Sequence, residues 1–197
     1  MKKITTAFML GLLSFHLFAA EGGTVVCSSP SPSAKPNSWT GHPMAASDLK
    51  AHVQLARCKI DQESAFEEGI SMLHEAASQG SDEANFRLGW LYVDGQIVRK
   101  NVDHAEGYLK LVKGRFQTSA LILLAGLRAQ GTSSHPADKS VARKMCLEAI
   151  AQLNVEEQKF KQRREGEPMD VDRQQRWYLD WLTLRGIARE NDIQLPQ

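Results

Sequence analysis

The chain has little cysteine, no excess of either charge, and no long apolar run. Its three cysteines, Cys27, Cys58 and Cys146, include no CxxC pair. That excludes a thioredoxin-type redox motif and a cysteine-framed zinc site. Lys and Arg number 24 against 23 Asp and Glu, a net charge of +1. A domain built to grip nucleic acid carries a basic excess, and this one does not. The one basic run, KFKQRR, has acidic residues on both sides and reads as a solvated helix face. There is no GxSxG and no phosphate loop. His74-Glu75 starts like HExxH, but position 78 is Ser, so the second metal ligand is missing. His52, His74, His104 and His135 are scattered without ligand spacing. No catalytic residue, metal or cofactor is expected, and the chain does not read as an enzyme.

The longest apolar run, Phe8 to Phe18, follows Lys2-Lys3 and precedes small residues at Ala19-Ala20 and Gly22-Gly23. It is short for a membrane span of about 20 residues. The pattern is that of a cleaved secretory signal over residues 1–20 of bacterial style, which places the mature protein in the periplasm. Residues 21–45 are rich in Ser, Pro and Gly and read as a flexible leader. Trp39 and Met44 are its large apolar side chains.

The rest is helical in pattern. In EANFRLGWLYVDG, the residues Ala84, Leu88, Leu91 and Tyr92 share one helix face, and Asp94-Gly95 stops the helix. Val102, Ala105, Leu109 and Val112 mark a second face, which Asn101 or Asp103 can cap and Gly114 ends. The pattern recurs. Ala84, Leu88, Gly89 and Gly95 return as Ala120, Leu124, Ala125 and Gly131, a spacing of 36. Gly69, Ala105 and Ala142 match in the second helix, as do Ala76, Val112 and Ala149. Ala51, Leu55 and Ala56 echo Ala84, Leu88 and Gly89 at a shorter spacing of 33. A hairpin this small buries too little alone and needs stacked neighbours. The reading is an all-α fold, an α/α helical-repeat solenoid of about three helix-turn-helix pairs plus a C-terminal capping helix. The array spans 46–153, with pairs at about 46–80, 82–114 and 115–153. A charged linker covers 154–169 and the capping helix 170–191.

The motifs ANFRLGWLYVDG, IVRKNVDHA and SMLHEAASQG resemble the Sel-one-like repeat family (SLR), relatives of the tetratricopeptide repeats. The resemblance covers about 105 of the 197 residues. It is closest in the middle unit and degraded in the third, where Arg128 stands in place of Tyr92. A generic tetratricopeptide array, with its 34-residue period, is the nearest alternative. The resemblance implies a protein–protein interaction module (an adaptor or scaffold) whose partner is a protein of the periplasm or envelope. A second implication is an immunity protein that binds and neutralises a toxin in the periplasm, since some small secreted members resemble immunity factors. A wall-active enzyme is a third. The β-lactam activity attributed to cysteine-rich members is not implied, because their paired cysteines are missing here.

Arg87 and Trp90 sit between core positions of the middle unit and form an Arg–Trp pair of the kind found at interface hot spots. Packing of Trp90 on a neighbouring unit is the competing reading. Asn85, Gln117 and Arg128 are expected on the same surface. Trp177, Trp181, Leu184 and Ala188 form a stripe expected to close the end of the core, with a partner anchor as the alternative. Cys146 matches a core position and reads as a small buried hydrophobe. A Cys27–Cys58 disulfide would staple the leader to the array. Cys58 with Cys146 would have to span two units.

Overall fold

The computed structural model describes residues 44–61, 65–163 and 170–196. The signal segment, Trp39, Cys27 and most of the leader lie outside them, as do 164–169 of the charged linker. The described residues form seven α-helices and no strand: α1 (Ala46–Asp61), α2 (Phe66–Ser78), α3 (Asp82–Asp94), α4 (Val102–Leu111), α5 (Gln117–Gln130), α6 (Lys139–Lys161) and α7 (Val171–Glu190). A 3-10 turn, Gly114–Phe116, leads into α5. The protein is all-α. Each helix packs chiefly on its neighbours in the chain: α1 on α2, α3 on α4, α5 on α6, with α7 against both α5 and α6.

Local chemistry explains the boundaries. Ser81 accepts a hydrogen bond from the Ala84 amide and opens α3. Asn101 does the same for α4 through the His104 amide, so Asn101 is the cap and Asp103 is free for another task. Asp138 caps α6 and Asp170 caps α7. Gly95 ends α3 with φ of 78°, a left-handed value that suits glycine. The end of α4 differs from the expectation. The helix stops at Leu111, and Gly114, with φ of 60°, opens the 3-10 turn instead. The Asp82 carboxylate accepts from the Lys113 amide and holds that corner.

The core forms at the matched second-helix positions and at Ala84, Leu88, Ala120 and Ala125, whereas Ala51, expected to echo Ala84, is exposed, and Leu55 and Leu124 are only partly buried. Gly69, Ala105 and Ala142 are all buried, as are Ala76, Val112 and Ala149. In the first two pairs the helices touch through glycine. A Cβ on Gly69 would lie 2.6 Å from Ile60 Cγ1 and 2.7 Å from the Ala56 carbonyl oxygen. One on Gly89 would lie 2.6 Å from Leu109 Cγ. Cys146 is buried with a free thiol.

Past Leu153, α6 continues to Lys161 as a charged helix extension. Its overhang is held by α7. Trp177 Nε1 donates to the Leu153 carbonyl at 2.9 Å, Phe160 meets the Trp177 ring edge-on, and Arg173 pairs with Glu156. Trp177, Trp181 and Leu184 pack on the core of the last pair. Beyond α7 the chain turns back. Ile193 is buried in that core, and the Gln194 carbonyl accepts from Arg143 on α6.

These contacts predict opposite effects for two glycines. Gly69→Ala forces a Cβ into backbone and should cost about 1–3 kcal/mol. Gly107→Ala meets nothing within 4 Å and should gain up to about 1 kcal/mol from helix propensity. Thermal or urea melts of the two variants check both signs.

Candidate functional site

Three arginines from different elements meet one carboxylate. Because Ser81 caps α3, Asp82 and Glu83 fall in its first turn, where negative charge is favoured. Glu83 Oε1 accepts from Arg87 Nε at 3.1 Å and from its Nη2 at 2.9 Å. Arg57 of α1 lies 4.0 Å away and Arg115 of the 3-10 turn 3.9 Å away. The Glu83 side chain is only 16% exposed. Burial pushes its carboxyl upward, but the charge and hydrogen bonds of Arg87, with Arg115 and Arg57 behind them, hold it below the usual range. Asp61, at the end of α1, goes the other way, since burial outweighs Arg57 and Arg87.

The row continues toward the C-terminal helix. Phe86 and Phe116 stack with centroids 5.1 Å apart. Two guanidiniums converge on the Phe116 ring, Arg115 at 4.5 Å and Arg176 at 4.9 Å. One turn beyond Arg176, the Asp180 carboxylate accepts from Ser119 Oγ of α5 at 3.0 Å. Burial lifts the Asp180 pKa to about 7, against the opposing pull of Ser119 and Arg176. A chain of contacts and close charges therefore runs from Arg57 on α1 through Glu83, Arg87, Arg115 and Phe116 to Arg176 and Asp180 on α7.

The residues expected from sequence fall into this picture unevenly. The Arg87 side chain is 11% exposed and committed to Glu83. Trp90 is half-buried and packs on the core shared by α1, α2 and α3. Gln117 is exposed in the first turn of α5, and Arg128 is half-buried in its last turn. They stand about 16 Å apart along the helix. Asn85 is 3% exposed and does not line a surface. Cys58 is buried and disulfide-bonded; Cys27 lies outside the described residues. Arg57, Glu83, Arg115, Phe116, Arg176 and Asp180 were not expected. Their signal is faint, because pairing between side chains of different elements leaves no mark in composition or period.

Other polar clusters tie neighbouring elements together. His74 of α2 sits between two tyrosines, with Tyr108 Oη 2.9 Å from Nδ1 and Tyr92 Oη 3.4 Å from Nε2. Burial lowers the His74 pKa, as does the charge of His104, so the neutral ring bridges α2, α3 and α4. Buried Glu106 accepts from Lys110, Thr132 and His135, and Asp103 accepts from the Ser134 amide and hydroxyl. These bonds clamp the 131–138 loop onto α4. His52 and Glu75 pair at 3.3 Å between α1 and α2. Among the described residues, no group of three or more His, Cys, Asp or Glu side chains gathers to hold a metal, and no helix is long and apolar enough to cross a membrane.

Among known proteins, no family model matches the chain and no curated protein matches it.

Asp180 carries a pH prediction. Its folded pKa is raised, so the stability of the folded state is fullest below about pH 4 with respect to this group and is lost as pH rises through about 7. The loss is on the order of a few kcal/mol. Asp180→Asn should flatten that part of the profile in melts recorded between pH 4 and 8.

Proposed function

We propose that this chain is a periplasmic protein–protein interaction module of the Sel-one-like type, and that it engages its partner through the arginine row running from α1 to α7. The observation that carries the reading is the convergence of Arg115 and Arg176 on the Phe116 ring. Phe116 is itself buried, so its ring is a rigid platform beneath the guanidiniums, and arginine is among the residues that interface hot spots favour. Arg115 is the accessible member, its side chain 52% exposed. Glu83 and Phe116 hold its guanidinium in place before a partner arrives, which lowers the ordering cost of binding. Arg87 anchors the row through its two bonds to Glu83. The periodic burial of Gly69, Ala105 and Ala142 supports the repeat assignment. The pairing of Cys58 with Cys27 completes the proposal, and a non-reducing peptide map should recover that bond.

The test is capture of a partner from periplasmic extract by the mature protein, with Arg115→Glu as the matched bait. Arg115 is half-exposed and 3.9 Å from Glu83, so this change brings a second carboxylate toward a buried one, and circular dichroism and a thermal melt must first show that the bait is folded. Arg87→Ala or Trp90→Ala would instead disturb packing. One stoichiometric partner, reduced at least about tenfold by Arg115→Glu, is the expected result. Equal capture by both baits, or none by either, removes the row from consideration. A toxic enzyme as partner would make the module an immunity protein, and an envelope protein would make it an adaptor.

A further inference from the structure

His74 joins the first helix pair to the second through two tyrosines. Tyr108 Oη of α4 lies 2.9 Å from its Nδ1, and Tyr92 Oη of α3 lies 3.4 Å from its Nε2. The phenol rings run parallel with centroids 5.9 Å apart. The imidazole is tilted by 58° to Tyr92 and 59° to Tyr108. His104 of α4 meets the Tyr92 ring edge-on at 5.2 Å. Two histidines from different pairs therefore share one tyrosine ring.

A neutral imidazole carries one N–H and one bare nitrogen. It can donate to one hydroxyl and accept from the other. Protonation makes both nitrogens donors, so the hydroxyl that donated has to turn its hydrogen away. The groups around the ring oppose the new charge. From α3 the ring meets Tyr92, and from α4 it meets Tyr108 and the like-charged His104. Glu75, its neighbour on α2, is paired with His52 of α1 at 3.3 Å. We propose that the joint between the first two helix pairs is a switch opened by acid, worked by protonation of His74 against His104 across the stacked tyrosines. Burial and the His104 charge both hold the ring neutral in the closed joint. Its contribution is therefore intact above about pH 6.5 and is lost as pH falls below that. What loosens is the packing of α2 on α3, with Leu73, Ala76, Ala84 and Leu88 in the core behind it. Asp180 works in the opposite sense, so acid firms the seat of α7 on α5. Lowering the pH shifts stability from the N-terminal end of the array to the C-terminal end.

Hydrogen exchange of the mature protein at about pH 7 and about pH 5, corrected for the intrinsic exchange rate, tests this. Peptides covering α2 and α3 should lose protection at least about threefold in acid, while those covering α7 should not. His74→Gln, whose amide donates and accepts at either pH, should abolish the loss, and His104→Gln should lessen it. Equal protection of α2 and α3 at both pH values overturns the proposal. So does a loss that persists in His74→Gln or is untouched by His104→Gln. Circular dichroism confirms that the variants fold. Should His74→Gln fail to fold, a proton NMR titration of the wild-type chain decides. A His74 midpoint below that of an unfolded histidine, shared by the Tyr92 and Tyr108 signals, supports the switch, and a midpoint at or above it overturns the switch. None of these readouts needs a partner, so the result stands apart from the capture experiment.

Discussion

A carboxylate moved out of water has to be repaid in place, and Glu83 is the group around which this chain does so. Three arginines reach it, one each from α1, α3 and the 3-10 turn before α5. Buried ion pairs add little net stability compared with apolar packing, but leaving one partner alone is costly. Their effect is therefore to exclude other arrangements. If α1 slipped one turn along α3, Arg57 would leave Glu83 and the carboxylate would lose part of its compensation. Hydrophobic surface holds the helices together, and Glu83 fixes where α1 and the 3-10 turn lie along α3. The remaining contacts of the row, Phe86 on Phe116 and Ser119 on Asp180, depend on that shift.

The same shift explains how much could be read in advance. Helix identity, the buried faces and the matched glycines and alanines were legible because each is a local or periodic property. Ala84, Leu88, Gly69 and Ala142 announce themselves by spacing. What touches what across two pairs is different. Phe86 matches Ile122 at the repeat spacing, yet it stacks on Phe116. Arg57 matches Trp90, yet it reaches Glu83. Equivalent positions are not neighbouring positions when helices are staggered, and the amount of stagger is not encoded in the period. Arg87 looked like a free interface residue because its partner is the acid one turn before it, and such a pair on a helix is usually solvated. Here the neighbouring arginines and the buried setting of Glu83 enclose it. The end of α4 was misplaced for a related reason: the residue that fixes the corner is Asp82, distant in sequence and invisible to a search for helix stops.

The loops carry more of the assembly than their length suggests. The 131–138 segment has little apolar surface to bury, and it is fastened to α4 by Asp103 and Glu106 through hydroxyl, amide and imidazole donors. The His74–Tyr92–Tyr108 cluster joins three helices by a similar device. Small helices with alanine and glycine contacts gain close approach but little area. Directional bonds at their ends supply the geometry that area alone would leave loose. This also accounts for the position of the arginine row. It borders the stacked aromatic pair, where packing is firm enough to hold two guanidiniums near one ring.

Cys146 gives the fold an internal clock. Its thiol is buried in the core of α5, α6 and α7, and burial pushes its pKa upward, so a reagent that attacks thiolates cannot reach it while that core is closed. Every alkylation event therefore records an opening of the last pair, and its rate divided by that of an unfolded thiol gives the open fraction directly. The middle of the array has no such thiol. The C-terminal end can thus be timed separately from the rest, with no label added and no residue changed.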